Sequence, residues 1–276
     1  INIIYRGPVD GRYIDNSSSF IMQGSGRNII INLNGYKISS IDTNFSVNDF
    51  NVNGKVTNGE FFGSKILASF STHQSEAGLS LEINGNSFGP ISSLVESISH
   101  KFGKLTSGGF HKTNFYYSSP IEYGLSLLSK KSRLEVNSDI DKGEINFHDL
   151  GFEFQNIYSS LNYNNVNGFQ EGYFSFKLNT IPLVFELNEE GKTKDYTFFE
   201  SDKPIQINNL LPISIRDSAS GSSATLIQIA VPSLIRGQNI KRSFINVSSD
   251  LSGTEINLPD PFFKIKDDST ELSLTF

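Results

Sequence analysis

The chain has 276 residues, a formal net charge of −6, 23 Phe, 10 Tyr, and neither Cys nor Trp. Its one basic cluster, Lys130-Lys131-Arg133, falls short of the grouped cations that phosphate recognition needs, which argues against nucleic acid as the main partner. The lack of Cys excludes disulfides, thiolate metal sites and thiol nucleophiles.

With 37% hydrophobic and 19% charged residues, a chain of this length can bury a sizeable apolar surface. Phe carries no polar atom that needs a partner, so its excess suits a purely apolar surface. Ser, Asn, Thr and Gly dominate the polar remainder and favour turns and sheet surfaces over helices.

In chain order, "INIIYRGPVDGRY" opens without an initiator Met. It has neither the basic start nor the apolar core of a signal peptide, and it reads as mid-strand in a segment of a longer protein. No run approaches the ~20 apolar residues of a membrane-spanning helix. "NIIINLNG" alternates Ile29, Ile31 and Leu33 and ends on Asn34-Gly35, a strong hairpin signal. Phe45, Val47, Phe50 and Val52 continue the theme, followed by Ile66/Ala68/Phe70 and Leu79/Leu81/Ile83.

The spacing predicts one amphipathic helix over residues 90–103, with Ile91, Leu94, Val95, Ile98 and Phe102 on one side, Pro90 at its start and Gly103 at its end. It is expected to cap an edge or mouth of a sheet. Loops are expected at residues 104–114, 188–204 and 216–224, the last a mobile "RDSASGSSA".

Strand patterns resume in Phe152/Phe154, Ile157/Leu161/Tyr163, Phe174/Phe176/Leu178, Leu183/Phe185/Leu187, Ile205/Ile207, Ile227/Ile229/Val231 and Leu272/Leu274/Phe276. Residues such as Glu82, Glu153, Lys177, Glu186, Gln228 and Glu271 take the opposite face. No composition shift marks a linker, so one continuous sheet system is expected.

Two stretches match without gaps. "LEVNSDIDKGEINF" at residues 134–147 answers residues 245–258, with Asp139-Ile140 facing Asp250-Leu251 and Glu144-Ile145-Asn146-Phe147 facing Glu255-Ile256-Asn257-Leu258. Period-2 strands around Asp and Gly read as a β-hairpin in each copy. A period of this length implies multi-strand repeat units, placed at about residues 41–150 and 151–260.

Nothing in the sequence singles out a catalytic or metal constellation. His73, His100, His111 and His148 share no ligand spacing. "GSGRN" at residues 24–28 precedes a strand and no phosphate-holding helix, and Asp139-x-Asp141 lacks the full acidic set of a calcium loop. The expectation is no enzyme, no cofactor and no metal. An enzyme acting on polysaccharide stands only as a remote alternative, because paired carboxylates converge in space and not in sequence.

"SSDLSGTEINLPDPFFK", with Ser249, Asp250, Leu251, Gly253, Leu258, Pro259, Pro261 and Lys264, resembles the recurring signature of the YhdP-type branch of the AsmA-like proteins of Gram-negative envelopes. The upstream copy keeps Ser138, Asp139 and Ile140 but has Phe147-His148-Asp149 where the prolines should stand. "SLNYNNVNGFQEGYFSFKLNTIPLVFEL" resembles that family's intervening strands more loosely. The specific part of the likeness covers about 20 residues.

The resemblance implies an all-β fold with one short helix. A long curved antiparallel sheet of repeated units would form an apolar groove. About 16 to 18 strands, spaced about 4.8 Å apart, would extend such a groove by roughly 80 Å. It further implies a segment of an inner-membrane-anchored periplasmic protein that moves phospholipid between membranes and serves outer-membrane lipid homeostasis.

Partners would be acyl chains, flanking segments of the same chain, and both membranes through parts not present here. Groove-lining candidates, chosen for hydrophobicity, are Ile31, Leu33, Phe70, Leu81, Phe154, Leu161, Phe174, Phe176, Leu178, Phe185, Leu187, Ile229, Val247 and Leu274. The alternative is a structural or adhesive β-domain of a surface or phage-tail-type protein, whose apolar faces form a closed core.

Overall fold

The structure, a computed structural model, describes residues 2–6, 19–33, 36–49, 51–75, 78–92, 105–121, 130–149, 151–188, 193, 195–206, 208, 213–236, 242–259, 263–266, 268 and 270–275. Its strands are β1 (Asn2–Arg6), β2 (Ser19–Leu33), β3 (Tyr36–Asn48), β4 (Asn51–Phe61), β5 (Ser64–Ser75), β6 (Gly78–Pro90), β7 (Leu105–Pro120) and β8 (Arg133–Phe147). They continue with β9 (Phe152–Asn164), β10 (Gly168–Leu178), β11 (Ile181–Asn188), β12 (Tyr196–Gln206), β13 (Ala219–Pro232), β14 (Phe244–Ser249), β15 (Thr254–Ile256) and β16 (Leu272–Thr275).

All belong to one 16-stranded sheet whose order follows the sequence from β1 to β14 and then β16, with β15 paired to β13. The pairings with a defined register are antiparallel. Among the described residues none joins β1 to β16, so the sheet is open. This all-β meander follows from the period-2 patterning, because each strand finds its partner in the segment just before it. Among the described residues, no helix is long and apolar enough to cross a membrane.

Contacts divide the chain into two compact units: residues 1–89, 112–137 and 164–166 form one, and residues 90–111, 138–163 and 167–276 form the other. The division cuts through β7 and β8.

In the first unit the strands are two-faced. Directly paired residues point to the same side, so Gly24, Phe45, Gly54, Phe70 and Ile83 form one transverse row. On the same face lie Met22, Val47 and Val52, the pair Thr72 and Leu81, and the row Gly26, Thr43, Val56, Ala68 and Gly85. The opposite face carries the rows Gln23, Ser46, Asn53, Ser71, Glu82 and Ser25, Asn44, Lys55, Ser69, Asn84.

The second unit holds a buried cluster of Leu178, Leu183, Phe185, Phe199, Ile205 and Ile227. Phe174 stacks on Phe185 with centroids 4.7 Å apart, and Phe169 meets Phe199 edge-on at 5.8 Å. Burying each such side chain contributes about 1.5–3 kcal/mol. Long-range contacts tie β9 to the segments flanking β13 at both ends of these strands. The Tyr163 hydroxyl in β9 donates to the carbonyl of Leu234, just past β13, at 2.6 Å, and Arg216 donates through Nη2 to the Gly151 carbonyl at 2.8 Å.

Three expectations change. The two matching stretches are not hairpins: residues 133–147 form the single strand β8. In the second copy β14 and β15 are successive pieces of one line that pair with the same strand, β13. Between these pairings Asp250 to Gly253, four residues, stand opposite Ser222 to Ala224, three residues, which defines a β-bulge. Asp and Gly suit turns, yet the left-handed conformation they supply serves a bulge equally well. The positive φ values of Leu251 (50°) and Gly253 (74°), and of Lys142 (53°) in β8, mark these sites.

The loops expected at residues 104–114, 188–204 and 216–224 are largely strand, with β7 starting at Leu105, β12 at Tyr196 and β13 at Ala219. Their sequences, Ser- and Gly-rich at residues 104–114 and 216–224 and charged at residues 188–204, give weak strand signals, and cross-strand pairing orders them instead. β12 and β13 alone match from Tyr196↔Pro232 to Gln206↔Ser222.

Of the predicted helix, Ile91 and Ser92 are helical. Leu94, Val95, Ile98 and Phe102 lie outside the described residues, as do Asn34 and Gly35, across which Leu33 pairs with Tyr36.

Candidate functional site

The apolar face of the first unit is built on a glycine–phenylalanine alternation. Gly24 pairs with Phe45 and Gly54 with Phe70. A Cβ on Gly24 would lie 2.5 Å from the Phe45 ring, and one on Gly54 would overlap the Phe70 ring. Both rings therefore lean across strands into space that only glycine leaves open, an arrangement that covers backbone and smooths the surface. Phe45, Phe70, Leu81, Ile83, Val47 and Val56 are half-buried. The large apolar side chains that become fully buried among the described residues of this unit are Ile41 and Tyr117.

The other face of the same unit opens a cavity of about 800 Å³ lined by Gln23, Asn44, Ser46, Asn53, Lys55, Thr57, Ser69, Ser71, Glu82, Asn84 and Tyr116, with Gly24, Phe45, Gly54 and Phe70 completing the lining. The Tyr116 hydroxyl donates to Glu82 Oε1 at 3.1 Å, and Arg133 sits over its ring at 5.8 Å. Burial, ahead of other effects, raises the Tyr116 pKa. Carboxamides and hydroxyls dominate the side chains of this face, and such groups suit water or polar partners.

The groove-lining candidates fall into three groups. Phe70 and Leu81 lie on the apolar face of the first unit, while Ile31, beyond the bulge in β2, is 41% exposed and pairs with Ile38. Phe154, Leu161, Phe174, Phe176, Leu187, Ile229 and Val247 pack half-buried around the cluster of the second unit. Leu178 (8% exposed) and Phe185 (1%) are part of that cluster. Neighbouring side chains fill the space around those two, and hydrophobicity alone does not tell a core from a wall. Leu33 and Leu274 are strand residues whose side chains lie outside the described set; Leu274 pairs with Val247.

Ile91, expected at a groove mouth, is 3% exposed and packs on Gly143, whose added Cβ would lie 2.7 Å from Ile91 Cδ1.

The signature stretch forms the bulge between β14 and β15. Ser249 is buried, donates to the Ala224 carbonyl at 2.9 Å, and lies 2.9 Å from Ser223 Oγ. Asp250 Oδ1 accepts from the Ser252 N–H and from Ser223 Oγ, both at 2.9 Å; those bonds hold its carboxyl below the usual range. Leu251 is buried, and its N–H donates to Ser249 Oγ at 3.1 Å. Lys264 is buried with Nζ donating to the carbonyls of Thr254 (2.9 Å) and Ile265 (3.0 Å). Pro259 is exposed, Leu258 half-buried, and Pro261 lies outside the described residues. This stretch is a backbone lock, and its polar groups face one another.

The histidines stand apart. His73 is 3.7 Å from Glu82, His148 contacts Thr106 Oγ1 at 3.0 Å, His111 is buried with its pKa lowered by desolvation, and His100 is outside the described residues. Among the described residues no group of three or more His, Asp or Glu could hold a metal ion. Asp139 Oδ1 accepts from Ser160 Oγ at 2.8 Å in the middle of β8.

Comparison with protein-family models, with curated proteins and with solved structures found no match.

Proposed function

We propose that the protein binds acyl chains along the apolar face of its sheet as part of a lipid conduit of the AsmA-like type. The observation that carries this reading is the first unit's continuous row of Gly24, Phe45, Gly54, Phe70 and Ile83, half-buried and without a buried cluster of its own among the described residues.

Moving hydrocarbon out of water is worth about 0.8 kcal/mol per methylene. A smooth apolar strip without a deep specific pocket holds a chain while letting it slide, and headgroups stay in water. No catalytic group takes part. In this reading the chain works in the periplasm, within an envelope protein anchored in the inner membrane, with phospholipid as cargo.

The test is native mass spectrometry of protein purified without detergent. Phospholipid that remains bound, or binds when vesicles are added, supports the proposal. Persistent absence of lipid under both conditions contradicts it.

A second reading, a structural or adhesive β-domain, is favoured by the second unit, where Phe185, Leu183, Phe199 and Ile205 are filled in on all sides. In that case the face of the first unit also stays dry, and no lipid is found.

A further inference from the structure

The polar face of the first unit carries a regular lattice of hydrogen-bonding side chains. Asn44, Lys55, Ser69 and Asn84 form one transverse row, and Gln23, Ser46, Asn53, Ser71 and Glu82 form the next. Neighbouring strands stand about 4.8 Å apart, so the row from Asn44 to Asn84 is about 14 Å long, with the second row about 6.6 Å from it along the strands. Both rows line the cavity of about 800 Å³, a volume within the roughly 300–1,000 Å³ of small-molecule sites.

Two observations set this lattice apart from an ordinary solvated face. Asn is depleted in strands, yet Asn44, Asn53 and Asn84 stand within β3, β4 and β6 with exposed side chains. Among the described residues, the side chains of Gln23, Asn44, Asn53 and Asn84 make no hydrogen bond to the protein. The fold therefore does not need these carboxamides, each of which offers two donors and an acceptor.

The wall beside them is held in place. Besides accepting from the Tyr116 hydroxyl, Glu82 Oε1 lies 3.7 Å from His73 Nε2. Arg133, over the Tyr116 ring, donates through Nε to Glu135 Oε1 at 2.8 Å. A fixed ring and carboxylate next to unengaged carboxamides form a preorganised binding surface.

The chemistry of the lining selects the ligand. Lys55 stands against Glu82, so there is no cluster of cations for phosphate or nucleic acid. Strands β2 to β6 are each paired on both sides, so an extended peptide cannot add to them as a further strand. Carboxamides donate and accept at neighbouring atoms, which matches the adjacent hydroxyls of a sugar. The Tyr116 ring, with carbon from Phe45 and Phe70 completing the lining, suits the C–H faces of sugar rings.

We infer that the polar face of β2 to β6 is a binding site for a neutral saccharide, a short oligosaccharide lying along the row from Asn44 to Asn84 beside Tyr116. Free glycan and the sugar headgroup of a glycolipid share this chemistry, and the test separates them. The site lies on the face opposite the Phe45 and Phe70 row and rests on none of the lipid argument, so either can fail alone.

The full chain is tested on an array of immobilised neutral oligosaccharides (glucans, mannans, xylans and chitin fragments) and anionic ones (uronic-acid and sulfated chains). It is also tested with phosphatidylcholine vesicles with and without a glycosyl diacylglycerol. Binding to a neutral oligosaccharide on the array assigns free glycan; binding only to the sugar-bearing vesicles assigns a headgroup. In either case the doubly substituted Asn53→Ala/Asn84→Ala chain and Tyr116→Ala are each expected to weaken binding by about 10-fold or more. Asn53→Ala alone and Tyr116→Leu take their place if a variant fails to fold. Binding unchanged by these substitutions, binding to anionic chains alone, or no sugar-dependent binding on either the array or the vesicles overturns the inference.

Discussion

Gly221 and Gly253 face each other across the bulge so closely that a methyl group on Gly221 would overlap the Gly253 carbonyl oxygen, and both residues have positive φ, 91° and 74°. Gly109 repeats this with Lys142 and Gly143, an added Cβ lying 2.6 Å from the Lys142 carbonyl oxygen. Left-handed backbone and missing space thus coincide at two sites one repeat apart.

Gly221→Ala and Gly109→Ala are each expected to destabilise the fold by about 3 kcal/mol, combining backbone strain with a steric clash. Gly108→Ala is the control: its added Cβ would meet only Glu144 Oε2, at 3.9 Å. Urea unfolding of the three variants checks this, and equal midpoints for Gly108→Ala and Gly109→Ala would refute the repeat geometry.

The clamp that joins β8 to the end of β9 is buried, and the like clamp from Phe20 to Asp49 is exposed. Asn165 is 0% exposed; its Oδ1 accepts from the Leu134 N–H at 3.0 Å, and its Nδ2 donates to Ser132 at 3.3 Å (carbonyl) and 3.2 Å (hydroxyl). Asn165→Ala removes these buried hydrogen bonds and is expected to cost about 3 kcal/mol. Asp49→Asn, at the exposed equivalent with φ 54°, should change stability by less than about 0.5 kcal/mol, since Asn also accepts and tolerates that φ. Parallel denaturation curves distinguish the two.

Burial pushes the Tyr163 pKa up to about 12. Because the folded value lies above the unfolded value of about 10, its contribution is fully present below pH 10 and is lost as pH rises from about 10 to 12. A loss of about 2 kcal/mol across that window is expected in the native chain. Tyr163→Phe should flatten this alkaline limb while removing the hydrogen bond to Leu234, and stability measured from pH 8 to 12 reads both effects.

Phe185→Ala should cost about 4 kcal/mol, because it opens a cavity among Phe174, Phe176 and Leu183. Phe70→Ala removes a half-buried ring lying over Gly54 and should cost about 1–2 kcal/mol. If the proposed function holds, Phe70→Ala also weakens phospholipid binding, whereas Phe185→Ala does so only by unfolding. Thermal melts paired with native mass spectrometry separate stability from binding.

The strand content and two-faced character were readable from period-2 patterns such as Leu79/Leu81/Ile83, because side-chain alternation is a local property of the strand. Three features were not. The β13 strand begins in "ASGSSA", where pairing with β12 and β15 supplies the order that composition does not. The Asp250–Gly253 bulge looks like a hairpin because both need left-handed residues, and only the position of β13 tells them apart. A third such site, Asn28 ahead of Ile31-Asn32-Leu33, escaped because Arg27-Asn28 replaces Asp-Lys or Ser-Gly there, while its backbone conformation is kept.

The split between core and lining is a tertiary outcome. Phe70 and Phe185 alternate alike in sequence, and the difference arises from what packs above each ring.

The central claim is that hydrocarbon occupies the row through Phe45 and Phe70 and not the opposite face. A photoreactive phenylalanine placed singly at Phe45, Phe70 or Leu81, and on the other face at Asn53, Ser69 or Asn84, reads this directly after incubation with phospholipid vesicles and irradiation. The account predicts lipid adducts at the first three positions and none above background at the last three. Adducts at all six, or at none, would contradict it.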